Sequence, residues 1–367
     1  MKVLVITNKV KTYNIGFKNV IQNLIDKKFK VYWAADFSTF VEDKATIPCE
    51  IVNIPINSNP LKVQNIKAYK LLLKFCKDTN IDVIYCSTPI GGTIGRLLGK
   101  KLKVKKVIYA AHGFLFHSKV PFFKRIIFMS HEKILAKYTD VLITITKEDY
   151  NAALKFKLKK NGTLYYVHGA GVDFENIKFV DKKSKRQMLS IPDKAFVIIS
   201  AGFLNRNKNN EVIIKALKIL NNKNIYYLVC GEGKLDKKLK HLCSKYKLEN
   251  VKFLGFRTDI YELMQSSNLF VMPSFREGVP RSLLEAMYLG LPCIGSDTRG
   301  ISELINHGVG GYVCNPKNPK EFAKFISICY DSYLDCGVRN KNFAQQYSEK
   351  IVFEELKVIF EKELDWS

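Results

Sequence analysis

Short runs of apolar, mainly β-branched residues alternate along this chain with longer segments in which apolar residues recur at helical spacing. In the first half, the apolar runs are residues 2–7, 30–35, 82–87, 106–111 and 140–145. In the second half, they are residues 196–201, 225–230, 251–255, 269–273 and 292–296. Apolar strands separated by amphipathic helices predict parallel sheets with helices on both faces. The predicted fold class is therefore α/β.

The two series of runs predict two Rossmann-like domains, which a chain of 367 residues is long enough to form. The junction is predicted in the glycine-containing stretch 168–176. We therefore expect the two domains to cover residues 1–172 and 173–348. From Lys317 onwards, the pattern predicts two or three helices. We expect the last helix, within residues 349–367, to cross back and pack on the first domain.

The formal net charge of +25 is large, and the excess is concentrated in the first half of the chain. Residues 1–175 hold 29 Lys and Arg against 13 Asp and Glu. Such an excess indicates an anionic partner, which can be nucleic acid, an anionic membrane surface or an anionic substrate. The chain shows neither an aromatic–basic platform nor a recognition helix, so we expect no nucleic-acid partner.

The apolar residues and the cysteines also indicate where the protein works. No apolar run reaches the roughly 18 residues of a transmembrane helix, and the run at the N-terminus is too short for a signal peptide. The nine cysteines form no CxxC pair, and several lie in strand-like runs. This pattern is typical of buried thiols in a reducing compartment. We expect a cytoplasmic protein.

The stretch SFREGVPRSLLEAMYLG, residues 274–290, places two glutamates around a predicted helix start. Ligands of doubly wound sheets bind beyond the carboxyl ends of the strands, and this stretch follows such a strand. Glu285 falls one turn inside the helix, where its carboxylate could accept both hydroxyls of a ribose. Glu277, eight residues earlier, could reach a sugar on the far side of a diphosphate. The alternatives are a capping box between Ser282 and Glu285 and a solvated loop acid at Glu277.

The same helix start is a candidate phosphate site, because a helix N-terminus with free N–H groups favours an anion. We expect the N–H groups of its first turn to be free. The donor-side candidates in and before this turn are Gly278, Val279, Ser282, Leu283 and Leu284.

Two more strand ends carry candidate phosphate contacts. Arg206 and Lys208 lie in the turn after one apolar run, and the alternative is an exposed basic turn. Gly231 and Gly233 follow the next run and predict a glycine turn that a ligand approaches closely. Its spacing does not match a Walker phosphate loop.

His112 directly follows a central apolar run and precedes Gly113. A lone histidine is often structural, but this position at the end of a strand favours a functional role. The chain contains no D-x-D motif. We therefore expect no metal cofactor, with helix ends and the cations Arg206 and Lys208 neutralising any bound diphosphate.

These motifs resemble those of family 4 glycosyltransferases, retaining enzymes of GT-B fold that use nucleotide sugars. Glu277 and Glu285 match the paired acids of the family signature, with seven residues between them. Further blocks resemble the capsule and exopolysaccharide branch, so that the likeness covers nearly the whole chain. These blocks are residues 87–96, 111–114, 145–150 and 254–260.

The resemblance implies two Rossmann-like domains facing across a cleft, with the acceptor in the first and the donor in the second. It implies that Glu285 binds the donor ribose, Glu277 the donor sugar and Lys208 the diphosphate. Arg257 would lie near the base, and His112 would lie over the reacting centre. Where many relatives carry Arg or Glu after the strand, this chain has Phe203, and Arg206 is predicted to supply the missing cation.

The implied reaction is transfer of a hexose or N-acetylhexosamine, with retention, from a UDP-linked nucleotide sugar. The implied acceptor is a glycan, such as a polyprenyl-diphosphate-linked saccharide of a bacterial surface polysaccharide. Two other enzyme classes of similar fold stay open at this point. A nucleotide-sugar epimerase would release free nucleotide without an acceptor, and a glycosyl phosphorylase would need inorganic phosphate.

The segment 119–138 mixes aromatic and aliphatic residues with lysine and arginine. One interpretation is a helix whose apolar face packs on the sheet. The other is that its start, beside His112, rests on an anionic membrane leaflet at the inner face of the plasma membrane, since basic and aromatic side chains favour such a surface.

Overall fold

The computed structural model describes residues 1–13, 15–116, 120–175, 177, 180–332 and 335–365, with only the backbone at Ile15. Two compact units divide the chain. The first comprises the described residues of Met1–Gly171 and Glu349–Ser367, and the second is Val172–Ser348.

The first unit is built on a parallel sheet of seven described strands. These are β1 (Lys2–Lys9), β2 (Lys30–Asp36), β3 (Glu50–Asn53), β4 (Val83–Ser87), β5 (Lys106–Ala111), β6 (Val141–Thr144) and β7 (Thr163–Tyr166). Their spatial order is β3-β2-β1-β4-β5-β6-β7. The order reverses between β1 and β4, which is the switch point where ligands of doubly wound sheets bind.

Helices cover both faces of this sheet, and a short 3₁₀ helix spans Lys44–Thr46. The helices are α1 (Ile15–Asp26), α2 (Gln64–Thr79), α3 (Pro89–Leu102), α4 (Phe122–Ala136), α5 (Lys147–Ala153) and, from the end of the chain, α13 (Glu349–Leu364). β1 shows why its sequence is a continuous apolar run. Val3 and Val5 join the core on one face, whereas Leu4 and Ile6 join the core on the other.

Small residues let α3 approach the sheet closely. A Cβ on Gly92 would lie 2.3 Å from the ring of Tyr109, one on Gly95 2.5 Å from Cys86, and one on Gly99 2.2 Å from Val107. The glycines of GGTIGRLLG are therefore packing residues.

The prediction that the last helix packs on the first domain is confirmed. Val352, Leu356 and Phe360 of α13 belong to the same apolar core as β1. Near its end, Glu363 accepts hydrogen bonds from Lys106 (2.7 Å) and Tyr165 (2.8 Å).

The second unit holds a parallel sheet of six described strands in the order β10-β9-β8-β11-β12-β13. The strands are β8 (Phe196–Ala201), β9 (Ile225–Cys230), β10 (Val251–Gly255), β11 (Leu269–Met272), β12 (Cys293–Ser296) and β13 (Gly311–Cys314). The helices are α6 (Lys182–Met188), α7 (Asn210–Leu220), α8 (Asp236–Lys245), α9 (Ile260–Gln265), α10 (Arg281–Tyr288), α11 (Pro319–Asp331) and α12 (Gly337–Gln345). Here the switch point lies between β8 and β11.

Helix α4 differs from the interpretation in which its apolar face packs on the sheet. Phe122, Phe123 and Ile127 in its first half are 69%, 79% and 65% exposed. Its buried side includes Glu132, whose carboxylate lies 2.7 Å from the guanidinium of Arg96. That interpretation is therefore wrong for the first half of the helix. Lys119, at the start of the predicted segment, lies outside the described residues.

No helix in the described part of the chain has both the length and the apolar character that crossing a membrane requires. All nine cysteines are free thiols, and eight of them are buried.

Candidate active site

The second unit brings two loops together at its switch point. The loop after β8 carries Lys208, and the loop after β11 carries Glu277. Backbone and side-chain hydrogen bonds join them: the Phe275 N–H donates to the Asn207 carbonyl (2.8 Å), and the Asn207 amide donates to the Arg276 carbonyl (2.9 Å). Residues far apart in sequence are thus held at one point of the sheet edge.

Lys208 and Glu277 form an ion pair in this place. Lys208 Nζ lies 2.9 Å from Glu277 Oε1, and the side chains are only 21% and 14% exposed. Gly202 leaves room for the lysine, because a Cβ there would lie 3.0 Å from Lys208 Cε. The site thus offers one cation suited to a diphosphate and one carboxylate suited to sugar hydroxyls.

Arg206 lies away from the Lys208–Glu277 pair. It is exposed and lines a different cavity, of about 600 Å³, together with residues such as Glu211 and Lys317. Lys208 instead lines the small pocket between the ends of β8 and β11. The two cations that were predicted for one diphosphate therefore lie in different cavities.

Glu285 projects from α10 toward α9. Its Oε1 accepts a hydrogen bond from the Tyr261 hydroxyl at 3.2 Å. Burial raises the pKa of Glu285, while the Arg281 charge and the Tyr261 hydrogen bond act in the opposite direction. The carboxylate is thus partly shielded from water and keeps acceptor capacity for a ligand.

The capping-box alternative for Glu285 is wrong. The N-cap of α10 is Pro280, and no side chain caps the helix. Ser282 Oγ instead donates to the Ala201 carbonyl at 3.4 Å. The carboxylate of Glu285 is therefore not engaged in closing the helix end.

The expectation of free N–H groups at this helix start is wrong for two residues. The N–H groups of Leu283 and Leu284 both donate to the Pro280 carbonyl, at 3.2 and 3.3 Å. The Ser282 N–H has no acceptor within the described part of the chain. The helix start can thus present fewer amides to an anion than predicted.

The turn before α10 is fixed by close packing. A Cβ on Gly300 would lie 1.6 Å from the Gly278 carbonyl oxygen, and Val279 packs against the apolar core of the second unit. The segment between Glu277 and α10 is therefore held from both sides.

The glycines in the turn after β9 are required by the packing of the protein itself. A Cβ on Gly231 would lie 1.9 Å from the Gly202 carbonyl oxygen, and one on Gly233 would lie 2.3 Å from that of Leu204. Gly231 also has φ +138°, which favours glycine. The close approach predicted for a ligand is made here by the neighbouring loop.

Arg257 lies after β10 and is held by Asp259. Its Nε and Nη2 donate to the two carboxylate oxygens of Asp259 at 2.7 and 2.6 Å. Lys185 lies 2.6 Å from the same carboxylate. This bidentate contact fixes the plane of a guanidinium that stays 35% exposed.

His112 belongs to the first unit, whereas the other predicted site residues lie in the second. It follows β5 at the carboxyl edge of the sheet, and its side chain is exposed. Within the described part of the chain, its imidazole has no hydrogen-bond partner. The ring nitrogens are therefore unoccupied as far as the described residues of the first unit extend.

Sequence reasoning missed a feature at the switch point of the first unit. Asn8 Oδ1 accepts hydrogen bonds from Thr88 Oγ1 (2.7 Å) and from the Gly91 N–H (2.9 Å). Thr88 has φ +67°, which is strained for a β-branched residue. The sequence marks residues 87–96 only as a block that resembles the family, so the strained backbone of Thr88 was not predicted. The Tyr261 contact of Glu285 was missed as well, since no local spacing signals it.

Comparison with known proteins agrees with this architecture. Residues 181–345 match the family described as "Glycosyl transferases group 1", and residues 2–146 match the one described as "Glycosyl transferase 4-like". The chain is 30% identical over 344 residues to "Putative glycosyltransferase EpsD" of Bacillus subtilis (strain 168), covering 91% of this chain and 90% of that protein. The chain is therefore a glycosyltransferase with a 4-like first unit and a group 1 second unit, which confirms the predicted resemblance to family 4.

Two further likenesses bear on the fold and the chemistry. The chain is 29% identical over 290 residues to an Escherichia coli protein named "UDP-Gal:alpha-D-GlcNAc-diphosphoundecaprenol alpha-1,3-galactosyltransferase", covering 76% of this chain and 74% of that protein. The crystal structure of Anabaena Alr3699/HepE in complex with UDP and glucose matches with a TM-score of 0.77 at 20% identity, covering 99% of this chain and all of that one. The fold is the GT-B fold.

Proposed function

We propose that this glycosyltransferase moves a hexose or N-acetylhexosamine, with retention, from a UDP-sugar to a polyprenyl-diphosphate-linked saccharide. The observation that carries the proposal is the Lys208–Glu277 pair at the switch point, beside the helix that carries Glu285. The E. coli relative supports the choice of donor and acceptor, since its name states a UDP-linked sugar and a diphosphoundecaprenol-linked one.

In this proposal the donor lies across the ends of β8 and β11. Glu285 accepts the ribose hydroxyls, because its carboxylate has one acceptor site engaged by Tyr261 and others available. Lys208 turns from Glu277 to the diphosphate, and Glu277 then accepts hydroxyls of the donor sugar. Arg257 lies near the base, and the loops of Gly231 and Gly278 border the nucleotide.

The proposed chemistry is a displacement on one face of the sugar. The bond from the anomeric carbon to the diphosphate oxygen breaks, and a bond to the acceptor hydroxyl oxygen forms on the same face. The acceptor proton passes to the departing phosphate. Lys208 stabilises the charge that develops on the diphosphate, an electrostatic contribution, and His112 contacts the reacting sugar.

The proposal includes no metal cofactor, because Lys208 and the start of α10 carry the neutralising role. Transfer should therefore persist in excess EDTA. Loss of activity in EDTA that added Mg²⁺ restores would contradict this part of the proposal.

The decisive experiment is a screen of UDP- and GDP-sugars for saturable shifts in melting temperature, followed by a transfer assay with the sugar that binds. Lys208→Met should weaken UDP binding, whereas Arg206→Met should leave it nearly unchanged. The Arg206 variant is the matched control, since it lies in the same loop but lines another cavity. Nucleotide release without acceptor would indicate an epimerase, and dependence on inorganic phosphate would indicate a phosphorylase.

A further inference from the structure

The first unit contains an apolar groove along α3, between α2 and α4. Its volume is about 550 Å³, within the range of roughly 300–1,000 Å³ that is typical of small-ligand sites. Its walls include Ile66, Tyr69, Ile90, Leu97, Ile127 and Phe128. We call this feature the α3 groove.

Much of the α3 groove is apolar surface left open to solvent. Ile66, Leu97 and Ile127 are 59%, 36% and 65% exposed. Soluble proteins rarely leave large contiguous apolar surfaces uncovered, and such surfaces often mark binding sites. Glu132 lines the groove, but its charge is compensated, because its carboxylate lies 2.7 Å from the guanidinium of Arg96. These features favour an apolar ligand.

One cation lines the groove, and two more lie near it on α4. Lys62 lies in its lining, and Lys124 and Arg125 lie in the first turn of α4, next to Ile127. That turn contains no acidic residue. Within the described part of the chain, none of the three cations has an ion-pair partner. An apolar trough beside uncompensated positive charge complements an amphiphile with an anionic head.

The groove begins at the carboxyl edge of the sheet, the same edge at which His112 lies. Pro89 and Ile90, at the beginning of α3, lie in its lining. Only Thr88 separates them from β4, which pairs in parallel with β5. His112 follows β5, so the groove and His112 lie at the same carboxyl edge.

We propose that the α3 groove binds the isoprenoid chain next to the diphosphate of the lipid-linked acceptor. The cations Lys62, Lys124 and Arg125 face that diphosphate, and the saccharide extends toward His112. This inference rests on the proposed function, since it assigns a place to part of the acceptor. The concave walls of the α3 groove suit a single isoprenoid chain. A membrane surface would instead meet the exposed side chains of Phe122 and Phe123.

The test uses the full chain and geranylgeranyl diphosphate as the probe, with inorganic diphosphate for comparison, in calorimetric titrations. The variant Leu97→Asn with Ile127→Asn should bind the isoprenoid probe about tenfold more weakly or worse. Ile134→Asn is the matched control, because Ile134 lies on the same helix, is 56% exposed and is absent from the groove lining. Its affinity should change by less than about twofold.

Three results would overturn the inference: no binding of the probe to the wild type, equal binding of inorganic diphosphate, or unchanged affinity in the double variant. A UDP-induced melting shift in the double variant shows that the second unit and its donor site are intact. Absence of that shift in the wild type would instead count against the proposed function, so the two failures are distinguishable.

Discussion

Lys208 and Glu277 lie 69 residues apart in sequence, yet their charged atoms are 2.9 Å apart in the second unit. The sequence assigned them to different parts of the donor, the diphosphate and the sugar. Their pairing means that each neutralises the other before a donor binds. The ion pair must therefore open or be shared when a diphosphate reaches the lysine.

The first prediction is that Glu277→Gln separates nucleotide binding from turnover. Removing the carboxylate charge leaves Lys208 more available for the diphosphate, so UDP affinity should stay equal or rise by a few-fold. Turnover should fall by about 100-fold or more, the scale of a positioned polar group in catalysis. Calorimetry with UDP and a transfer assay measure the two effects.

Glu211→Gln provides the control, because Glu211 also pairs with lysines in this unit, Lys215 and Lys238, and lies outside the Lys208 pocket. It should change neither quantity. A loss of UDP affinity in Glu277→Gln as large as that in Glu285→Gln would show that Glu277 contacts the nucleotide instead.

The second prediction concerns Glu285→Gln, which should weaken UDP binding. A hydrogen bond to a charged group contributes roughly 1.5–3 kcal/mol, so the affinity should fall by about 10- to 150-fold. The unliganded variant should melt at or above the wild-type temperature at neutral pH, since it no longer buries a charge. Unchanged UDP affinity would mean that this carboxylate does not reach the ribose.

The pH dependence of this variant follows from the raised pKa of Glu285. The folded chain takes up a proton at a pH where the unfolded chain does not. The free energy of unfolding of the wild type should therefore rise relative to that of the variant as the pH falls through the raised pKa. UDP affinity of the wild type should fall over the same range, because in the proposed function the ionised form accepts the ribose hydroxyls. Melting curves and titrations from neutral pH down to the ordinary carboxyl range test both trends.

Much of the fold could be predicted because buried parallel strands are continuous apolar runs. All ten predicted runs form strands. Three described strands were not predicted, β3, β7 and β13, and all three lie at sheet edges. Edge strands are covered less completely, as the half-exposed residues of β3 and β7 show, so their apolar signal is weaker. The edge strand β10 was predicted nevertheless, because its sequence keeps an apolar run.

The site was less predictable, since its contacts depend on atoms from distant segments. The positions of Glu277, Lys208 and His112 after strand ends, and of Glu285 in the helix that follows β11, could be predicted from the alternation of strands and helices. Their partners could not, because the pairing of Glu285 with Tyr261 and the separation of Arg206 from Lys208 depend on how each loop turns. The capping box that local spacing offered as the alternative for Glu285 does not form.

The third prediction is that His112→Ala lowers turnover by at least about 100-fold with little change in melting temperature. The exposed imidazole has no hydrogen-bond partner in the described residues, so its removal leaves no buried polar group unpaired. His241→Ala, an exposed histidine of α8, is the control and should have normal activity. An active but unstable His112 variant would instead indicate a structural role.

The fourth prediction concerns the start of α4, where Phe122 and Phe123 are exposed beside Lys124 and Arg125. We expect this surface to attach the protein reversibly to anionic membranes. Each cation near such a surface contributes about 1 kcal/mol, and inserted phenylalanine adds apolar burial. Sedimentation with vesicles containing anionic lipid should show binding at low salt that declines as salt screens the charges.

The variant Phe122→Ser with Lys124→Glu should lose most of this binding, because it removes an inserted ring and reverses one charge. Ile134→Ser with Lys133→Glu makes the same kinds of change at the other end of α4, where both residues are also exposed, and should bind like the wild type. Equal loss in the two variants would indicate a general charge effect. If the wild type stays in the supernatant with anionic vesicles at low salt, α4 has no membrane role, and that result favours a soluble acceptor.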